Sequence, residues 1–124
     1  VKILVVDDDA AVATVITEVM NAWGDHYVVK SVSSGEAALE CIADVPPDVV
    51  LLDVVMPGMD GIETFRRIRL MNPDLPVIMM TGLGSDFLNA AEKASPLACI
   101  AKPINFHYLR QIIELTAACH PGSR

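Results

Sequence analysis

The chain has 124 residues, a length that fits one domain of ordinary size, and 52% of them are hydrophobic, enough for a real core. With two Tyr, three Phe and one Trp, that core must be mainly aliphatic. The net charge of −7 argues against a surface that grips nucleic acid or an anionic membrane, since both need a basic patch, and it suits a site for a divalent cation. Cys41, Cys99 and Cys119 lie far apart and give neither a disulfide framework nor zinc spacing, so buried or incidental thiols in a reducing cytosol are expected. The sequence shows no signal peptide and no apolar run of membrane-spanning length. It starts at Val1, so a trimmed piece with a neighbouring domain is an open expectation.

Residues 2–7 read as a short buried strand rich in Val and Ile. Residues 10–22 follow a helical period, with Val12, Ile16, Val19 and Met20 on one side and Gly24 as the stop. YVVKSV at 27–32 alternates only in part, as a strand at a sheet edge does. Ser34-Gly35-Glu36 opens a second helix to about Ala43, closed by Pro46-Pro47. DVVLLDVV at 48–55 is a buried strand with an aspartate near its end, and Pro57-Gly58 signals a turn. Asp60 can cap a third helix through Asn72, with Ile62, Phe65, Ile68 and Arg69 along it. PVIMMT at 76–81 is a fourth strand, and Gly82 and Gly84 loosen the loop after it. Asp86–Ala94 reads as a helix, LACIA at 97–101 as a fifth strand and Asn105–Cys119 as the last helix. The domain then spans 1–119, and 120–124 (HPGSR) is a linker or tail.

Strict alternation of strands and helices with short loops implies a doubly wound parallel sheet with helices on both faces. Ligands in such sheets bind beyond the carboxyl ends of the strands. Asp7, Asp8, Asp53, Thr81 and Lys102 all fall at or just past strand ends, so four strands aim reactive groups at one edge. Taken singly, each has an ordinary reading. An aspartate before a helix is a common cap, Asp53 could be a solvated strand end, Thr81 a β-branched strand residue, and Lys102 a surface lysine. Asp9 is the best candidate for the first cap. Met20, Met56, Met59, Met71, Met79 and Met80 are expected to pack, and His26, His107 and His120 to sit on the surface or in loops. Three adjacent aspartates at the end of a buried strand still need a counter-charge, because two carboxylates about 4 Å apart repel by roughly 4 kcal/mol at an effective dielectric near 20.

VVDDD at 5–9, LLDVVMPGMDG at 51–61, MMTG at 79–82 and AKP at 101–103, in this order, resemble the receiver domain of bacterial two-component response regulators over the whole chain. The resemblance implies a five-stranded, flavodoxin-like parallel sheet of order 2-1-3-4-5. It implies a Mg²⁺ site, open to Mn²⁺, with Asp8 and Asp53 as direct ligands, Asp7 acting mainly through a bound water, and the Val55 carbonyl as a further ligand. Asp53 would be the phosphoacceptor, and Thr81, the Gly82 N–H and Lys102 would contact the phosphoryl group. The Lys102–Pro103 peptide would be cis. The implied partners are a sensor histidine kinase or a histidine phosphotransfer domain, with an output domain after residue 124 and homodimerisation both open; the expected compartment is the cytoplasm. The domain would catalyse its own phosphorylation without turning over external substrates.

Two departures from the family pattern carry expectations. Cys99 stands where many receivers place a Tyr or Phe that turns inward with the threonine, so the Thr81–aromatic switch is missing its ring and the output face is expected to be atypical; Ser95-Pro96 stand where a glycine is common at the end of the fourth helix. Val55 and Leu83 occupy the two positions that border an attacking water, and neither can orient one, so slow self-dephosphorylation is expected. Two rival classes are a degenerate receiver that never takes phosphate and a small phosphatase of the haloacid dehalogenase type built on Asp7 and Asp9, for which Ala11 and the unexplained DVVMPGMDG are poor fits.

Overall fold

The computed structural model describes residues 1–56, 58–82 and 98–119, with side chains through Thr116. The elements are β1 (Lys2–Val6), α1 (Ala10–Asn21), β2 (Val28–Val32), α2 (Gly35–Asp44), β3 (Val49–Asp53), α3 (Gly61–Met71), β4 (Val77–Thr81), β5 (Ala98–Ala101) and α4 (Phe106–Cys119). The helix expected over 86–94, Leu83, Ser95-Pro96, His120 and the tail at 120–124 lie outside the described residues. All strands pair in parallel in the order β2-β1-β3-β4-β5, as the alternating pattern requires.

Period-2 strand geometry divides the core into two layers. On one face Leu4, Val6, Val50, Leu52, Val77 and Met79 pack with Ala38 and Ile42 of α2 and Phe65 and Ile68 of α3. On the other, Ile3, Val5, Val49, Leu51, Ile78 and Met80 pack with Ile16 and Met20 of α1 and Leu109 and Ile113 of α4. The central strands β3 and β4 are buried throughout, which explains their unbroken apolar runs. β2 is an edge and shows it, with Val28 and Lys30 exposed.

Several boundaries are shorter than the sequence suggests. β3 ends at Asp53 rather than at 55: Val54 N–H still donates to the Met80 carbonyl, but the Gly61 N–H then takes the Val54 carbonyl and the chain leaves the sheet. β1 likewise ends at Val6, with Asp7 just past it. In α1 the buried line is Ala13, Ile16 and Met20, while Val12 and Val19 are half-buried, because the stripe is centred one residue away from the line expected. Met71 is 44% exposed and lies outside the core, unlike Met20, Met56, Met79 and Met80. Each of the first three helices has a side-chain cap. Asp9 accepts from the Ala11 and Val12 N–H groups, Ser34 from Ala37, and Asp60 from Glu63. Gly58, at φ +73°, turns the chain between β3 and α3 in a conformation that side chains disfavour.

Leu51 is fully buried in the central strand, so Leu51→Ala should lower unfolding free energy by about 2–5 kcal/mol, whereas Val28→Ala on the exposed edge should stay within about 0.5 kcal/mol. Urea denaturation midpoints at constant m-value check both.

Candidate functional site

The parallel sheet brings the ends of four strands together. Asp7 follows β1 and is 1% exposed; Asp53 closes β3 and is 4% exposed; Thr81 closes β4 and is 2% exposed. Lys102 follows β5, its N–H donating to the Thr81 carbonyl at 2.8 Å, which fixes where its side chain starts. The ammonium reaches back across the sheet edge. Lys102 Nζ donates to Asp7 Oδ2 at 3.2 Å and stands 3.3 Å from Asp53 Oδ2.

The remaining carboxylate oxygens meet backbone donors. Asp7 Oδ1 accepts from the Asp9 N–H at 2.9 Å, and Asp53 Oδ1 from the Val55 N–H at 3.2 Å. Asp8 is exposed, and it offers a carboxylate oxygen so placed that oxygens of Asp7, Asp8 and Asp53 all lie within 4.8 Å of one another. Asp9 does not join them; its carboxylate caps α1. The Thr81 hydroxyl donates to the Gly82 carbonyl at 3.3 Å. Val55 forms an exposed apolar lip beside Asp53. The Lys102–Pro103 peptide is cis.

Burial and crowding dominate the electrostatics. Loss of hydration, then the Asp7 charge, push the Asp53 carboxyl from its ordinary 3.8 up to about 6 against the pull of Lys102 and the Val55 N–H. Burial alone would lower the Lys102 ammonium, but the charges of Asp53 and Asp7 outweigh it and hold the pKa above 10.5. Among the described residues, three carboxylates and one ammonium meet here, an excess of two negative charges. An all-oxygen donor set with two buried carboxylates and one exposed fits a hard divalent cation that keeps part of its water.

Cys99 pairs with Met79 across β4 and β5, is half-buried, and packs on the α2/α3 side of the sheet. Cys41 and Cys99 are both free of disulfide bonds. His26 and His107 are exposed. Sequence reading named Gly35 as part of a helix start and Gly61 as the end of a motif but gave neither a packing role and did not name Thr64; Gly61 packs α3 on the end of β3, and Gly35 packs α2 on Thr64. A glycine directly after the capping Asp60, where helices favour other residues, was the available signal.

The chain matches the family model of the response regulator receiver domain over residues 3–114. It belongs to the response regulator receiver family. The transcriptional regulatory protein ZraR of Escherichia coli K12 is 38% identical over 119 residues, 95% of this chain and 26% of that protein. The sporulation initiation phosphotransferase F of Bacillus subtilis is 34% identical, with 91% of this chain and 90% of that protein covered. A putative response regulator from Chloroflexus aurantiacus superposes with a TM-score of 0.81 at 32% identity, covering 91% of this chain and 97% of that one. The chain spans about a quarter of the length of the ZraR proteins it matches.

Receiver domains bind Mg²⁺ at an acidic pocket and work with histidine kinases or phosphotransfer proteins, and this chain has a cluster of Asp7, Asp8 and Asp53. The haloacid dehalogenase reading finds no support: the match is to the receiver family, and the Asp9 carboxylate that it needs beside Asp7 caps a helix instead. Among the described residues no helix is long and apolar enough to cross a membrane.

A carboxyl raised to about 6 favours the folded state while protonated and loses that advantage as pH climbs through 6. In Mg²⁺-free buffer, Asp53→Asn should therefore be more stable than the wild type at pH 7.5 by about 1–2 kcal/mol, with the gap closing between pH 6.5 and roughly 4. Thermal unfolding across pH reads this directly, and a gap that widens on acidification would contradict it. Added Mg²⁺ should narrow the gap at pH 7.5 by binding the folded wild type.

Proposed function

We propose that this receiver domain accepts a phosphoryl group on Asp53 in a Mg²⁺-dependent reaction and passes the change in state to an output domain or partner. The observation that carries this reading is Lys102, whose ammonium bridges Asp7 and Asp53 at 3.2 and 3.3 Å beside a third carboxylate. Asp7, Asp8, Asp53 and the Val55 carbonyl would hold Mg²⁺, or Mn²⁺ in its place. The ion supplies charge neutralisation for the incoming phosphoryl group and for Asp53 itself.

The residues of the chain do the rest. An Asp53 carboxylate oxygen forms the new bond to phosphorus as the phosphorus–nitrogen bond of a partner's phosphohistidine breaks, and the electron pair stays with the imidazole. Lys102 moves its contact from the carboxylate to a phosphoryl oxygen. The Thr81 hydroxyl, whose bond among the described residues is a long one to the Gly82 carbonyl, would turn toward another phosphoryl oxygen, joined by the Gly82 N–H. Val55 at the lip cannot align a water, and Leu83 shares that expectation, which supports slow loss of the phosphoryl group. Self-phosphorylation of this kind is not turnover of an outside substrate. Protein-glutamate methylesterase 2 of Burkholderia thailandensis, 37% identical over 35% of its length, belongs to an enzyme class, so an enzymatic domain elsewhere in a longer chain is compatible with this reading.

An apolar groove of about 360 Å³ opens beside Lys102, between Ala11, Val12 and Val15 of α1 and Pro103, Ile104 and Phe106. Its place next to the site supports docking of a kinase or phosphotransfer helix there, in the cytoplasm. Cys99 cannot fill the space of an aromatic ring, so coupling to the output face is proposed to use other groups; a homodimer through that face is an alternative output.

Incubation with acetyl phosphate should give a Mg²⁺-dependent 80 Da adduct by intact mass. Asp53→Ala should abolish it, and it should decay slowly once the donor is removed. Absence of any adduct would favour a phosphorylation-independent interaction module instead. Val15→Asp should slow transfer from a cognate phosphohistidine partner by about tenfold while leaving the acetyl phosphate reaction unchanged, because only the partner needs the groove.

A further inference from the structure

The first turn of α3 sits against the main chain that carries Asp53. Gly61 is buried, and its N–H donates to the Val54 carbonyl at 2.9 Å. A Cβ on Gly61 would overlap the Asp53 carbonyl oxygen and stand 2.5 Å from Val54 Cα, well inside the 3.4 Å at which ordinary contact begins. Both neighbours are main-chain atoms, so no rotamer relieves the overlap. The strand has no room to retreat either, since the Val54 N–H is bonded to the Met80 carbonyl at 3.0 Å and Asp53 lies in register with Met80.

The helix is held from its other side as well. Thr64 is fully buried, and its hydroxyl donates to the Asp60 carbonyl at 2.8 Å. Gly35, the first residue of α2, lies so close that a Cβ there would overlap Thr64 Oγ1 and reach Met59 Sδ at 3.1 Å. Two glycines and a threonine therefore form a tight interlock that runs from α2 through the first turn of α3 to the Asp53–Val54 peptide.

We propose that Gly61 is a positioning residue for phosphoryl acceptance, setting the Asp53 main chain so that its carboxylate meets Lys102 and the Val55 N–H, with Gly35 and Thr64 holding the turn in place. The inference rests on Asp53 being the acceptor. Its two polar contacts, at 3.2 and 3.3 Å, are near the outer limit of hydrogen bonding, so a small displacement of the strand end breaks one of them. In the reaction with acetyl phosphate, an Asp53 oxygen bonds to phosphorus, the bond from phosphorus to the acetate oxygen breaks, and acetate leaves with the electron pair. An attack of this kind is sensitive to misplacement: an error of about 1 Å can cost on the order of a hundredfold.

The test measures phosphorylation rates of the full chain with acetyl phosphate at saturating Mg²⁺, beside far-UV circular dichroism and the ¹⁹F spectrum of the beryllofluoride adduct. Gly61→Ala should fold, lose about tenfold or more in rate, and shift the ¹⁹F resonances. Gly35→Ala, which presses on Thr64, should slow the reaction by about threefold or more. A folded Gly61→Ala at wild-type rate, or a loss that merely tracks its unfolded fraction, overturns the inference and leaves the acceptor reading intact. Should Gly61→Ala not fold, an unchanged rate in Gly35→Ala overturns it instead. A wild type that forms no adduct on Asp53 removes the acceptor reading itself.

Discussion

Everything at the functional edge depends on two carboxylates that water barely reaches. Asp7 and Asp53 are each at most 4% exposed, and the Lys102 ammonium bridges them. Burying a charge without a partner is costly, and one lysine cannot fully compensate two acids and a third beside them. Loss of hydration first, and the Asp7 charge second, raise the Asp53 carboxyl to about 6. A site in that condition gains from any dication and from any chemistry that neutralises Asp53. The crowding of buried charge and the proposed function thus share one cause.

The rest of the fold can be understood as the support this edge requires. β3 and β4 are buried on both faces, so their ends cannot slide without moving the core. Lys102 is anchored by its own N–H to the Thr81 carbonyl, which ties the counter-charge to the strand that ends in the threonine. α1 begins directly after the acidic run with Asp9 as its cap, so of the three adjacent aspartates one closes a helix and two face the site. Neighbouring identical residues have different tasks because the strand end and the helix start send their side chains in different directions.

Most of the fold was legible in the sequence because its signals are local. Unbroken apolar runs mark strands covered on both faces, and β2 was readable as an edge from its mixed pattern. Capping residues and turn glycines marked the helix starts. Boundaries were less legible: Val54 and Val55 are as apolar as the strand before them, and only the hydrogen bond from Gly61 to Val54 shows where the sheet ends. Met71 looked like core by composition and lies at the surface, since helix orientation, not residue type, decides burial at the end of α3.

The sequence by itself determined which residues stand together at the carboxyl edge of the sheet. Asp7, Asp8, Asp53, Thr81 and Lys102 could be named because a parallel sheet places all strand ends on one edge, and because motif order along the chain is a one-dimensional property. What only the tertiary structure decided is how these groups share charge and space. The sharing of Lys102 between Asp7 and Asp53 is a distance between segments far apart in sequence, and the contact of Gly61 with the main chain at Asp53 depends on how the turn before α3 folds back on β3. Such distances follow from how sheet and helices pack together, and no local pattern of residue types encodes them.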